Sequence, residues 1–395
     1  MNPIRLSLTI AASTAAIFST AGHAQIWQPQ SGVMPSYRTA PPKVTQRIDS
    51  PDQLNAALAK AKGGEVFGLA PGGYSVILSD RNFTAPVTIT SSSATQPAKI
   101  GWIRLENVTN FVVTRLQITR VKKPEEKAEG SFIGRIMGGS NITLDAVYIH
   151  GSLDNDASND VTGLTIAGTR DIRIINSEFE QLGRGIMFGA VKRATIANNK
   201  VHGIRSDGFD FAQSDHVLID GNHFSDSQRI KTDHPDAIQF WTARTKRPST
   251  DILIRNNQIL QGHGSGTQGI FMRDELNNMP YERVTIHNNL IVGSNMANGI
   301  TVGHGIDIEI TGNTVLCPPD GNNPVWIRLG ELSGKKNISG NVVDVIKGAG
   351  MGDNKTPRQA GIKMKLLLTK NFRNVTPQDV VVPGIGYQLN PATRD

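Results

Sequence analysis

The chain has 395 residues, of which 38% are hydrophobic and 6% aromatic, with a formal charge of +7 at neutral pH, 40 glycines, 20 prolines and one cysteine. That composition fits a packed globular domain and excludes both a solvating disordered tail and a coiled coil. The lone Cys317 can form neither an intramolecular disulfide nor a thiolate zinc cluster, so site chemistry has to come from His, carboxylates, Lys and Arg.

At the start of the chain, Arg5 precedes an apolar stretch from Leu6 to Phe18, followed by Gly22, His23 and Ala24. This is the pattern of a secretory signal peptide, residues 1–24, cleaved after Ala24. The apolar stretch is shorter than the roughly 20 residues a membrane helix needs, and no later segment qualifies. A secreted or periplasmic protein with no membrane attachment after cleavage is expected. Loss of Arg5 leaves it one unit less positive and still basic, which suits an acidic partner or serves solubility alone. Export and the absence of a basic run turn the expectation away from nucleic acid and toward an anionic polysaccharide. Nothing marks an oligomer interface, and a monomer is expected.

Residues 25–49 are polar and without period, and read as a strap leading into a single domain over 50–395. Ser50 is placed as an N-cap, Pro51 as the first helical residue and Gln53 as its capping-box partner, with Leu54, Ala57, Leu58 and Ala61 on one face. The helix over 50–62 therefore has one apolar side to bury. The stretch 63–76, opening on Gly63 and Gly64, begins the first strand layer.

From there a repeat dominates. The form apolar-x-Ile-x-x-Asn-x-apolar recurs at 194–201, 217–224, 252–259, 284–291 and 308–315, and closes at 337–343. Less regular copies at 111–118, 142–149 and 172–179 carry Leu116, Val147 and Ser177 in place of the Asn. Each copy alternates with period two and is too short for a helix, so each reads as a strand. A second strand precedes each, at 162–166, 184–188, 207–211, 236–240, 268–272 and 298–302. Two strands with their turns fill a coil of about 22 residues, and stacked coils make a solenoid. Asn199, Asn222, Asn257, Asn289, Asn313 and Asn341 fall at one turn of every coil, where inward amides bond the backbone of neighbouring coils; they are structural. The helix is placed to plug the open end of the solenoid. This arrangement resembles the right-handed parallel β-helix proteins over nearly the whole mature length, which implies an all-β, single-domain fold with an N-terminal capping helix. After about 345 the repeat stops, and 345–395 read as a cap at the far end.

Coil spacing is uneven, and the excess must leave the solenoid as loops, where sites are built. The two longest later insertions lie in 227–250 and 262–275. With Ile186, Phe188, Phe209, Phe211, Ile238 and Phe240 facing inward, the outward column of the preceding strands is Met187, Asp210, Gln239, Phe271 and Thr301. The next column is Ala212, Trp241, Arg273 and Gly303. Arg184, Asp207, Asp236, Gln268 and Asn298 share the turn just before. Neighbouring carboxylates such as Asp207 and Asp236 raise one another's pKa or attract a cation, calcium being the candidate ion, unless they cap turns. The loop Arg229, Ile230, Lys231, Thr232, Asp233, His234, Pro235, Asp236 gathers base and carboxylate-binding side chains within eight positions. Trp241 and Phe271 either pack a loop on the solenoid or offer a sugar a stacking platform. Arg273 is placed to pair with Asp274 and Glu275 unless substrate takes it. His202, His216, His223 and His287 sit in regular coils as surface or packing residues.

The stretch 234–241 followed by 266–275 resembles a group of β-helix proteins that includes alginate lyases. The resemblance implies β-elimination on a uronate polymer, with Lys231 or His234 as the base, Arg273 or Arg205 neutralising the substrate carboxylate, and Gln239 assisting. Arg184, Arg229, Trp241 and Phe271 complete the expected substrate contacts. A second resemblance, to polygalacturonase-like hydrolases, rests on Arg229-Ile230-Lys231 and on Gly-His-Gly at 262–264 and 303–305, in the reverse of that family's order. It implies that Asp207, Asp210 and Asp236 supply acid and base for inversion. A uronate C5-epimerase, which shares the first proton abstraction, and a noncatalytic carbohydrate-binding solenoid are the further alternatives.

Overall fold

The computed structural model describes residues 40–123, 125–126, 131–230, 233–294, 296, 298–319, 321, 323–348, 352–365, 367 and 372–389. The expected signal peptide and the strap up to residue 39 lie outside the described residues.

Among the described residues, thirty strands join in one continuous sheet, paired in parallel from coil to coil. A regular coil has three strands rather than the two expected: Arg184–Gly189, Lys192–Ala197 and Lys200–His202 make one, and Phe209–Ala212, Asp215–Asp220 and His223–Ser225 the next. The reason lies inside the repeat motif. Its first half is the second strand, its Asn pair is a turn, and its last residues are a third strand only three residues long. The residue before each ladder asparagine takes a left-handed conformation, with φ of 56° at Asn198, 66° at Gly221, 57° at Asn256 and 64° at Gly312. Only Gly and Asn adopt that conformation routinely, which explains why the motif reads Asn-Asn or Gly-Asn.

The ladder asparagines are buried and bond as the spacing implies. Asn222 Oδ1 accepts from the Asn199 backbone N–H at 3.0 Å and from its Nδ2 at 2.9 Å, while Asn222 Nδ2 donates to Ile196 O and to Asn257 Oδ1. The chain of amides runs on through Asn289, Asn313 and Asn341 and ends on Asn354, a member the repeat does not reveal. At the other end, Asn199 Oδ1 accepts from the Ser177 backbone.

Inward side chains alternate along each strand and stack between coils. Phe188 and Phe211 are parallel at 4.4 Å, and Phe211 and Phe240 follow at 4.7 Å. The N-terminal helix spans Pro51–Lys60, with Ser50 Oγ accepting from the Gln53 backbone N–H. Gln53 Oε1 accepts from the Asp49 backbone N–H, one residue ahead of the cap. Leu54, Ala57, Leu58 and Ala61 join the same apolar core as Phe67, Val76 and Phe83, so the helix covers the first coil. After the last strand, Val345–Lys347, residues Ile362, Leu367, Val375, Val380 and Tyr387 form a second apolar cluster with Leu290, Val292, Leu316 and Val342. These partners lie on or beside third strands, so the C-terminal residues run along a flank, where Gln258 Nε2 donates to Tyr387 Oη.

Candidate active site

Strand register lines up the expected columns. Met187, Asp210, Gln239, Phe271 and Thr301 are successive partners, as are Ala212, Trp241 and Arg273. The first column continues beyond them. Thr165 partners Met187, Arg135 and then Arg104 follow on that side, and Arg328 pairs with Thr301 on the other; Arg104 is ion-paired to Glu106. All three arginines are exposed, and with a coil rise of about 4.8 Å the column from Arg104 to Arg328 is roughly 40 Å long. These arginines lie outside the long insertions of 227–250 and 262–275, and only the period-two alternation marks them as outward-facing.

The five residues at the turn form a polar corner. Arg184 Nε meets Asp207 Oδ2 at 3.1 Å, and Asp207 Oδ1 accepts from the Asp236 backbone N–H at 3.1 Å. Asn298 Nδ2 donates to Gln268 Oε1, and Asn298 Oδ1 accepts from Trp326 Nε1 and from Thr301 Oγ1.

The three aspartates are sealed: Asp207 is 2% exposed, Asp210 4% and Asp236 1%. Asp210 is outward by parity, yet covered, with the Trp241 indole beside its carboxyl. Burial, with Asp207 adding repulsion, raises the Asp210 pKa to about 7 and pushes that of Asp236 well above the carboxylate range. Asp210 Oδ1 and both Asp236 carboxyl oxygens have no hydrogen-bond partner among the described residues. A proton on each carboxyl removes the buried charge. Calcium takes about six to eight oxygens, more than these orphan atoms supply, so the cluster suits protons better than that ion.

A pH dependence of stability follows. Because the folded pKa of Asp210 lies above its ordinary value of 3.8, folding takes up a proton between 3.8 and about 7. The stability this contributes is fully present below the lower value and is lost as pH rises through the upper one; Asp236 acts in the same direction. The contribution of these two carboxyls to the melting temperature is expected to fall as pH is raised from about 4 to 8. In Asp210→Asn the fall is expected to be shallower, and an unchanged slope would contradict the assignment.

The other expected site residues divide by exposure. Arg229, His234 and Arg273 are exposed, while Arg184, Gln239, Trp241 and Phe271 are half-buried. Lys231 lies outside the described residues. Arg205, read as a candidate to neutralise substrate, is only 9% exposed, and its guanidinium lies 3.1 Å from Asp233, an ion contact short of hydrogen-bond geometry. Asp233 thus holds it inside the protein. No ion pair joins Arg273 to Asp274 or Glu275 among the described residues. Instead Asp274 accepts from Thr242 Oγ1 at 2.8 Å and from the Met279 backbone N–H at 2.7 Å, and its Oδ2 lies 2.8 Å from His304 Nδ1. Glu275 Oε2 accepts from the backbone N–H groups of Thr242 and Ala243. Both carboxylates clamp the loop after Trp241, which leaves the Arg273 guanidinium to solvent. The second Gly-His-Gly was the only sequence signal for His304.

Residues 135–315 match the family model described as the right handed beta helix region. Among solved structures, the Dettilon tailspike protein gp208 aligns with 72% of this chain and 55% of its own length, at 15% identity and a TM-score of 0.53. A polygalacturonase from Erwinia carotovora ssp. carotovora aligns over 82% of this chain and 100% of its own, at 12% identity and a TM-score of 0.50. An alginate lyase from Paenibacillus sp. str. FPU-7 aligns over 74% and 100%, at 15% identity and a TM-score of 0.40. No curated protein sequence matches the chain. At such identities the likeness is one of fold. The chain is a right-handed parallel β-helix, and the outer face of its first strands carries exposed arginines toward both ends of a column whose middle holds the covered Asp210.

Proposed function

We propose that this protein is an exported polysaccharide lyase that cleaves an anionic, uronate-containing polymer of the alginate kind by β-elimination. The observation that carries the reading is the division of the site by exposure. Arg229, His234 and Arg273 are open to solvent around half-buried Gln239, Trp241 and Phe271, while all the candidate aspartates are sealed. An inverting hydrolase needs two carboxyls about 6.5–9.5 Å apart with sugar and water between them, and buried carboxyls admit neither. Elimination at a uronate needs no exposed carboxylate. It needs a cation against the sugar's carboxylate, a base at C5 and a proton for the departing oxygen.

Arg273 is the neutralising group, since its fork matches a carboxylate and Asp274 and Glu275 are engaged elsewhere. His234, or Lys231 on the same loop, takes the C5 proton; the electron pair forms the C4–C5 double bond as the C4–O bond breaks, and solvent water gives the leaving oxygen a proton and recovers one from the base. Gln239 hydrogen-bonds the sugar, and Trp241 offers it an apolar face. Exposed Arg135 and Arg328 on the same face as Arg273 support a polyanion as substrate, because exposed like charges attract an extended chain of opposite charge.

The test is incubation with alginate, pectate, glucuronan and hyaluronan, following ultraviolet absorbance and reducing ends together. Both signals are expected to rise on one of these polymers. Reducing ends without absorbance would replace the lyase by a hydrolase, and silence in both would leave epimerisation or binding.

A further inference from the structure

The face formed by the third strands carries a different cluster. Register sets Tyr148 beside Glu178 and His150 beside Glu180, and the following coil sets His202 beside Glu180. Glu178 and Glu180 lie two positions apart on one short strand, so both side chains project to the same side. That side is outward, yet Glu178 is 5% exposed, Glu180 2% and His202 3%. His202 Nε2 is 3.0 Å from Glu178 Oε1, and one ligating atom from each of the three residues lies within 4.8 Å of the others. The Tyr148 hydroxyl donates to Glu180 Oε2, and Glu180 Oε1 is buried with no hydrogen-bond partner among the described residues.

Two carboxylates and an imidazole buried together pose an electrostatic problem. Even with a charged imidazole, the cluster keeps an excess negative charge away from water, which is costly. A divalent cation beside a neutral imidazole cancels both carboxylates and gives Glu180 Oε1 a partner. Two oxygens and one nitrogen suit zinc, whose bonds to such ligands are about 2.0–2.2 Å and place ligand atoms roughly 3.4 Å apart. The three ligating atoms, within 4.8 Å of one another, would close to that spacing on binding. The fourth position falls to the second oxygen of a carboxylate or to a water, and the Tyr148 hydroxyl orients Glu180 from behind.

We propose that Glu178, Glu180 and His202 bind a divalent zinc-type metal ion that clips two successive coils together. The site lies on a different face from the exposed arginines of the first strands and does not depend on the activity proposed above. Metal content of the purified protein, before and after EDTA treatment and re-addition of zinc chloride, is the direct test. One zinc per chain is expected, with a melting temperature that rises with zinc and saturates at that ratio, and no rise with magnesium. Glu180→Gln and His202→Asn are expected to abolish the zinc-dependent rise. His216→Asn, at an exposed histidine near Asp251, is expected to keep it. Wild-type protein that takes up no zinc would overturn the proposal without recourse to any variant, as would a zinc-dependent rise undiminished in Glu180→Gln.

Discussion

Arg273→Ala is expected to lower kcat/KM on the cleaved polymer by on the order of 100-fold, the usual cost of removing one charge-stabilising group from a reaction centre. Melting temperature is expected to stay unchanged, because the side chain is exposed and its acidic neighbours bond elsewhere. The backbone contact at this position, Arg273 O accepting from the Tyr281 hydroxyl, survives the substitution. Arg273→Lys is expected to recover only part of the activity, since an ammonium holds the charge without the planar fork that grips a carboxylate. His234→Ala separates the two base candidates: a comparable loss assigns proton abstraction to His234, and full activity assigns it to Lys231. An Arg273→Ala enzyme as active as wild type would remove the neutralising role and with it the proposed geometry.

Asn257→Leu is expected to destabilise the fold by at least about 3 kcal/mol while leaving the first-strand face in place. Asn257 is fully buried in the middle of the amide ladder. Its Oδ1 accepts from both the backbone N–H and the side-chain amide of Asn222, and its Nδ2 donates to Ile219 O and Asn289 Oδ1. Leucine removes all of these, and each buried group left without a partner costs about 1–3 kcal/mol. Replacing Asn256, the left-handed residue next door, by Gly is expected to cost less, since glycine adopts φ near 57° without strain and only the half-buried side-chain bonds to Asp220 and Asn288 are lost. Chemical denaturation of the two variants compares these effects; an Asn257→Leu variant as stable as wild type would contradict the ladder's role.

The solenoid was legible in the sequence because its demands are local. A left-handed turn favours Asn or Gly, a buried amide follows it in the regular coils, and period-two alternation separates inside from outside, so Asn198, Asn199, Ile186 and Phe188 announce their places. The third strand escaped because three residues, such as Lys200–His202, are too few to show a period. Site geometry was less legible because it depends on contacts between distant loops. Alternation places Asp210 on the outside, but it cannot show that Trp241 covers it. Nor can it show that Asp233 captures Arg205, or that Asp274 faces Thr242 and His304 instead of its neighbour Arg273. The repeat itself presents Glu178, Glu180 and His202 as ordinary coil residues, and only stacking of coils brings them together.

The claim of β-elimination is tested most directly by the masses of the products from a uronate oligomer of defined length. Elimination adds no water, so the account predicts that the masses of the two fragments sum to that of the substrate, with one fragment carrying the new double bond. Fragments that together exceed the substrate by one water would contradict it and return the reaction to hydrolysis.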